Sequence, residues 1–214
     1  MIVTALERKR GRRLVDVYVD GVLALTLSAL LATERDVRPG QSITQAELSA
    51  LAHAEARRAA LESALRLLSY RPRSEQELRI RLSRKGFAWP VVLETLARVR
   101  ELGYLDDAAF ARFYTETRQS ARPRSKRLAA VELRRRGIAQ ETAEEATADI
   151  SDEEAAYEAA SRRLRALGGL EYRRFRERMG RFLTSRGFSY DVSRRTIERC
   201  WAELGGDEAA HEAD

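Results

Sequence analysis

Two histidines and one cysteine are the chain's only imidazole and thiol side chains, the groups most often used as neutral-pH bases and nucleophiles. His53 falls in a polar stretch of helical character and His211 near the acidic C-terminus. With one cysteine beside them, no Cys/His zinc site can be assembled. Cys200 follows Ile197 by three and precedes Leu204 by four, on one helical face, so it reads as a small apolar core residue. A lone cysteine also forbids an intrachain disulfide and points to a reducing cytoplasm. No Gly-x-x-x-x-Gly-Lys-Ser/Thr loop is present to cradle phosphates, and Gly168-Gly169 and Gly205-Gly206 read as helix ends. Asp106-Asp107 could in principle hold magnesium, but adjacent helical residues do not share a face, and a helix cap accounts for them. The expectation is a protein without catalysis, cofactor or metal.

Arginine in repeated register is what the chain offers instead. Arg71-Pro72-Arg73-Ser74 recurs 51 residues later as Arg122-Pro123-Arg124-Ser125. Thirteen positions after Arg73 stands Gly86, thirteen after Arg124 stands Gly137, and thirteen after Arg174 stands Gly187. The third copy lacks the Arg-Pro-Arg-Ser signature. Arg73, Arg124 and Arg174 thus belong near the start of a helix, and Lys85, Arg136 and Arg186 at its end. A helix start is stabilised by negative charge, so Arg71, Arg73, Arg122 and Arg124 point to a binding surface. For Lys85, Arg136 and Arg186, complementing the helix dipole is an equally good reason. Arg84, Lys126, Arg127, Arg134 and Arg135 flank these positions and complete the candidate contact residues.

The charge distribution supports a polyanionic partner. The net charge is +6 and the sequence pI about 9.8. Residues 71–136 carry seventeen Lys/Arg against eight Asp/Glu, whereas Gln140 to Glu154 holds seven acids and no base. Such a field favours weak, sequence-independent contact with nucleic acid. The longest apolar run, Val22 to Ala32, is interrupted by Thr26 and Ser28 and is too short to span a bilayer, so no membrane role is expected.

Two kinds of periodicity position these arginines. Val15, Val17 and Val19 alternate with polar residues, and Leu23, Leu25 and Leu27 continue the alternation after Asp20-Gly21. This predicts a β-hairpin with a type I′ turn, to which Ile2–Leu6 adds a third strand, with a basic loop at Arg8, Lys9, Arg10, Arg12 and Arg13. After Pro39-Gly40 the period becomes helical: Leu61, Leu65, Leu68; Val92, Leu96, Val99, Leu102; Phe175, Met179, Phe182. Each unit of about fifty residues reads as three helices. The middle one opens on a capping box such as Ser74-x-x-Glu77 and closes on Gly86, Gly137 or Gly187. Units this small need neighbours to complete a core, so a linear, elongated array is expected. The predicted division is a hairpin region at 1–43, three-helix repeats at 44–104 (with a lead-in helix), 105–150 and 151–205, and a disordered acidic tail at 206–214.

The ordered fragments resemble the RecX family over almost the whole chain. They include Val19-Asp20-Gly21, Ala64-Leu65-Arg66-Leu67-Leu68, the run Arg71 to Leu78, Lys85-Gly86-Phe87, Gly103 to Asp107, Phe110-Ala111, Glu132 to Ile138 and Arg186 to Tyr190. The resemblance implies a mainly α fold of tandem three-helix repeats in a curved array behind the small β-hairpin region. It also implies a cytoplasmic regulator, expected as a monomer, that binds the RecA recombinase filament. There it would inhibit extension, ATPase and strand exchange, with auxiliary binding of single- and double-stranded DNA. The alternative is a sequence-specific repressor of helix-turn-helix type. The candidate reading helix, Val91 to Leu102, offers mainly Glu94, Arg98, Arg100 and Glu101, which suits base readout poorly.

Overall fold

The computed structural model describes residues 1–8 and 13–205. Strands β1 (Val3–Arg8), β2 (Leu14–Val19) and β3 (Val22–Ser28) form one antiparallel sheet in that order. Asp20 (φ 49°) and Gly21 (φ 83°) both adopt the left-handed region, as a type I′ turn requires. The turn is pinned from β1's side: the Ile2 amide donates to Asp20 Oδ1 at 2.8 Å and the Gly21 amide to Thr4 Oγ1 at 3.1 Å. Of the expected basic loop, Lys9, Arg10 and Arg12 lie outside the described residues, as does the tail 206–214.

The strand alternation holds on β2 but drifts on β3. Val17 pairs with Leu25 while Tyr18 pairs with Leu23, so an extra residue, Ala24, bulges from β3. Leu27 is buried and Leu23 is exposed, whereas strict alternation would place them on one face. The apolar face of the sheet (Val3, Val17, Val19, Leu27) packs on Leu31, Ala32, Val37 and Ile43. Leu31 and Ala32 come from a short helix that the strand pattern concealed, α1 (Ala29–Glu34). Ser28 starts it by accepting from the Leu31 amide.

Among the described residues nine further helices follow: α2 (Gln45–Tyr70), α3 (Glu75–Arg84), α4 (Trp89–Glu101), α5 (Asp107–Ala121), α6 (Lys126–Arg135), α7 (Gln140–Glu145), α8 (Asp152–Leu167), α9 (Tyr172–Ser185) and α10 (Tyr190–Glu203). Thr44 and Glu47 close a full capping box at the start of α2. Gly86, Gly137 and Gly187 end α3, α6 and α9 with φ between 85° and 88°, a conformation that costs a residue with a side chain dearly.

The chain divides into two compact units. One comprises Met1–Arg71 and Leu78–Leu105: the sheet, α1, α2, most of α3, and α4. Its helical core joins Ala64, Leu78, Leu82, Val92, Leu96, Val99 and Leu105. Glu55 ties α2 to the sheet by accepting from the Ser28 amide at 2.8 Å while paired with Arg58 at 2.6 Å. The other comprises Pro72–Glu77 and the chain from Asp106 onward. It has one core around Phe110, Leu133, Ile138 and Ala143, and a larger one around Phe175, Met179, Leu183, Phe188, Ile197 and Cys200.

Candidate nucleic-acid interface

Within the second unit the repeated sequence resolves into a repeated joint. Ser74 Oγ accepts from the Glu77 amide at 3.1 Å, as a cap should, and donates to the Arg136 carbonyl at 2.7 Å. The Glu75 amide donates to Asp107 Oδ1 at 2.8 Å, and the Glu77 carboxylate receives the Arg136 guanidinium. One repeat later the pattern returns. Ser125 Oγ accepts from the Leu128 amide, the Ser125 amide donates to the Arg186 carbonyl at 3.1 Å, and the Lys126 amide donates to Asp152 Oδ1 at 2.7 Å.

The glycines complete both joints. A Cβ on Gly137 would stand 2.5 Å from the Gln76 side chain, and one on Gly187 would stand 2.6 Å from Ser125 Oγ and 2.7 Å from Leu128 Cβ. The start of each middle helix therefore grips the Arg-Gly end of the next. Gly86, which no earlier repeat grips, has nothing within 4 Å of the same position, and Lys85 Nζ turns to Ser63 Oγ at 2.6 Å. The third copy starts α9 behind Glu171 without a side-chain cap. In both joints the Arg-Pro-Arg-Ser signature stands at the helix start that meets the following Arg-Gly end.

Arg73 and Arg124, expected on a binding surface, are both drawn into these joints. Arg73 is only 8 % exposed, with Glu77 4.0 Å away. Arg124 is half-buried and paired with Glu132, which also accepts from the Tyr114 hydroxyl at 3.1 Å and faces Arg118 Nε at 3.5 Å. Arg136 is half-buried between Glu77 and the Tyr114 ring, 4.4 Å from its centroid. Lys126 Nζ reaches the Ala148 carbonyl at 2.7 Å. Arg71, Arg84, Arg127, Arg134, Arg135 and Arg174 are exposed, on α3, α6, α9 and the end of α2.

The second joint gathers positive charge as well. Arg186 Nη1 donates to the Pro123 carbonyl at 3.0 Å, and the guanidinium lies over Phe182, 4.8 Å from the ring centroid. Arg163 lies over the same ring at 4.3 Å. Burial, then the nearby charges of Arg124, Arg122, Arg163 and Arg118, hold Arg186 below its ordinary pKa. Arg124 is also lowered, by burial and then by Arg118. Arg136 behaves oppositely: although burial opposes its charge, Tyr114 and Glu77 raise it. Arg118 and Arg163 were not among the sequence candidates. Arg118 lies four residues before Arg122, a helical spacing that could have flagged it; Arg163 arrives through the packing of α8 on α9, for which no local pattern exists.

Such a cluster can bind and orient an anion. Among the described residues no group of three or more His, Cys, Asp or Glu side chains could hold a metal ion.

Comparison with known proteins gives three successive matches. Residues 60–98 match the family described as RecX, first three-helix domain; residues 106–146 match the second such domain and residues 151–197 the third. The regulatory protein RecX of Geobacillus thermodenitrificans is 32% identical over 179 residues, covering 81% of this chain, which spans 65% of that protein's length. That of Geobacillus kaustophilus is 30% identical over 198 residues, covering 89% of this chain and 72% of the relative. A crystal structure of regulatory protein RecX superposes with a TM-score of 0.67 at 22% identity, covering 92% of this chain and 98% of that one. RecX from Lactobacillus salivarius gives 0.58 at 22% identity, over 71% of this chain and 98% of the other. At that identity the structural likeness is one of fold.

Proposed function

This chain belongs to the RecX family, and from that membership we propose that it regulates the RecA recombinase by binding the RecA–DNA filament. It would limit filament extension and lower RecA's ATPase and strand exchange, acting as a non-catalytic cytoplasmic monomer with auxiliary, sequence-independent DNA binding. The observation that carries this reading is the ordered match of three consecutive three-helix domains to those of RecX. Within the second unit, the arginine-rich second joint and the exposed Arg127, Arg134, Arg135 and Arg174 supply positive charge that a filament of protein and polyanion would meet.

A base-reading repressor is less well supported. On α4, Arg98 is paired with Glu101 at 3.0 Å and Glu94 with Arg57 at 2.8 Å, while Trp89 and Leu93 are exposed. Groove readout needs free Asn, Gln or Arg in such positions.

Sedimentation of preformed RecA–single-stranded-DNA filaments with this chain tests the binding. Co-sedimentation beyond what naked DNA alone retains is expected; recovery equal to that with naked DNA would remove RecA as the partner.

A further inference from the structure

The second joint holds five arginines, Arg118, Arg122, Arg124, Arg163 and Arg186, drawn from α5, the loop after it, α8 and the end of α9. Glu132 offsets part of this charge, shared among Arg118, Arg124 and the Tyr114 hydroxyl. Several of these side chains are already fixed. Arg186 is held by the Pro123 carbonyl and Phe182, Arg163 by the same ring, and Arg124 by Glu132. Neighbouring Arg162 donates to the Ala121 and Ser120 carbonyls, both at 2.9 Å, and so anchors α8 to the end of α5. The guanidinium groups repel one another, and folding keeps them together.

An arrangement that is repulsive alone and fixed in place is what an anion site requires. The bound anion relieves the repulsion, and little side-chain freedom remains to be lost on binding. Guanidinium groups, with their planar forks, match phosphate oxygens two at a time. A phosphodiester chain also supplies successive charges to a patch that spans several elements, as a single carboxylate does not.

We propose that this joint is a phosphodiester-binding site, gripping the backbone of single-stranded DNA with Arg122 and Arg163 as its exposed contacts and Arg124 and Arg186 as its fixed floor. This deepens the auxiliary DNA binding proposed above and rests on it, but it does not require that RecA be the partner.

The test uses the full chain and a fluorescently labelled single-stranded oligonucleotide of mixed sequence, with anisotropy followed across a salt series. Arg122 makes no side-chain bond within the joint, and Arg163 only the contact with Phe182, so the double variant Arg122→Ala/Arg163→Ala should keep the wild-type melting temperature. Each lost phosphate contact reduces the slope of log affinity against log salt by about 0.7 for a single strand. Losing two should weaken binding roughly 25-fold at about 0.1 M salt and flatten the slope by about 1.4. The pair Arg122→Lys/Arg163→Lys should recover most of the slope. As control, Arg98→Ala/Arg100→Ala removes the same charge from α4 and should leave a larger share of the affinity.

Wild-type affinity and slope in the double variant would overturn the proposal. So would equal losses in the control pair, which would mean that net charge alone matters. Normal DNA affinity with lost inhibition of RecA would also overturn it, by assigning the cluster to a protein surface. Lost DNA affinity with RecA inhibition intact would support the site. Absence of RecA inhibition in the wild type would count against the regulatory reading and leave the site standing.

Discussion

The Ser74 hydroxyl donates to the Arg136 carbonyl at 2.7 Å, across 62 residues of sequence. The same hydroxyl caps its own helix, so one side chain starts α3 and fastens it to the end of α6. Ser125 stands in the equivalent place, capping α6 while its amide bonds to the Arg186 carbonyl. Both serines are fully buried, so each hydroxyl must find partners inside the protein.

The joints separate three glycines with almost the same φ. Gly86→Ala should cost about 1 kcal/mol through its backbone conformation alone. Gly187→Ala adds a collision with Ser125 and Leu128, raising the loss to about 2–4 kcal/mol. Gly137→Ala should cost about as much as Gly187→Ala, because the Gln76 Cβ it meets at 2.5 Å is fixed to the backbone. Urea titrations of the three variants check this order; equal losses in all three would mean that the joints are not close-packed.

Arg73→Ala should destabilise the fold by about 1–2 kcal/mol, because it removes a buried side chain's packing, while Glu77 keeps Arg136 as its partner. Arg174→Ala, at the corresponding count from its glycine but exposed on α9, should change stability by less than about 0.5 kcal/mol. Thermal melts of the two proteins decide it, and equal stability would contradict the burial of Arg73.

These two arginines show how far the sequence could be read. The fifty-residue repeat, the capping serines, the closing glycines and the Asp-Gly turn were legible because each follows from local chain geometry. What held the repeats together was not, because the partner of Ser74 lies 62 residues away and nothing in Arg-Pro-Arg-Ser marks which side chains turn inward. The shared register of Arg73 and Arg124 suggested a binding surface; in the fold Arg73 is buried near Glu77 and Arg124 is half-buried on Glu132. Arg163 escaped for the same reason: it nears Arg186 only once α8 has packed on α9.

The Glu55 carboxyl gives a pH-dependent signal. Burial opposes its charge, but the Arg58 hydrogen bond and the Ser28 amide outweigh it, and its pKa is lowered on folding. A group with a depressed folded pKa contributes stability above its unfolded value, and that contribution is lost as pH falls through the folded value. Glu55→Gln should therefore lower stability by about 1 kcal/mol at neutral pH. The difference from wild type should shrink as pH drops below the ordinary carboxylate range. A difference that stays constant from pH 7 to pH 3 would rule out this linkage.

Cys200 is fully buried, and burial, followed by the charge of Glu203, pushes its thiol up to about 11. The thiolate is the reactive form. The native protein should resist a disulfide reagent at pH 8 and react with one equivalent once unfolded in guanidinium. Rapid reaction before unfolding would place the thiol at the surface.

Whether this chain acts on RecA is decided by RecA's ATPase on single-stranded DNA. With filaments preformed and the chain added below the RecA concentration, the rate of ATP hydrolysis should fall and keep falling as filaments fail to extend. An unchanged rate at a clear molar excess of the chain would contradict the account.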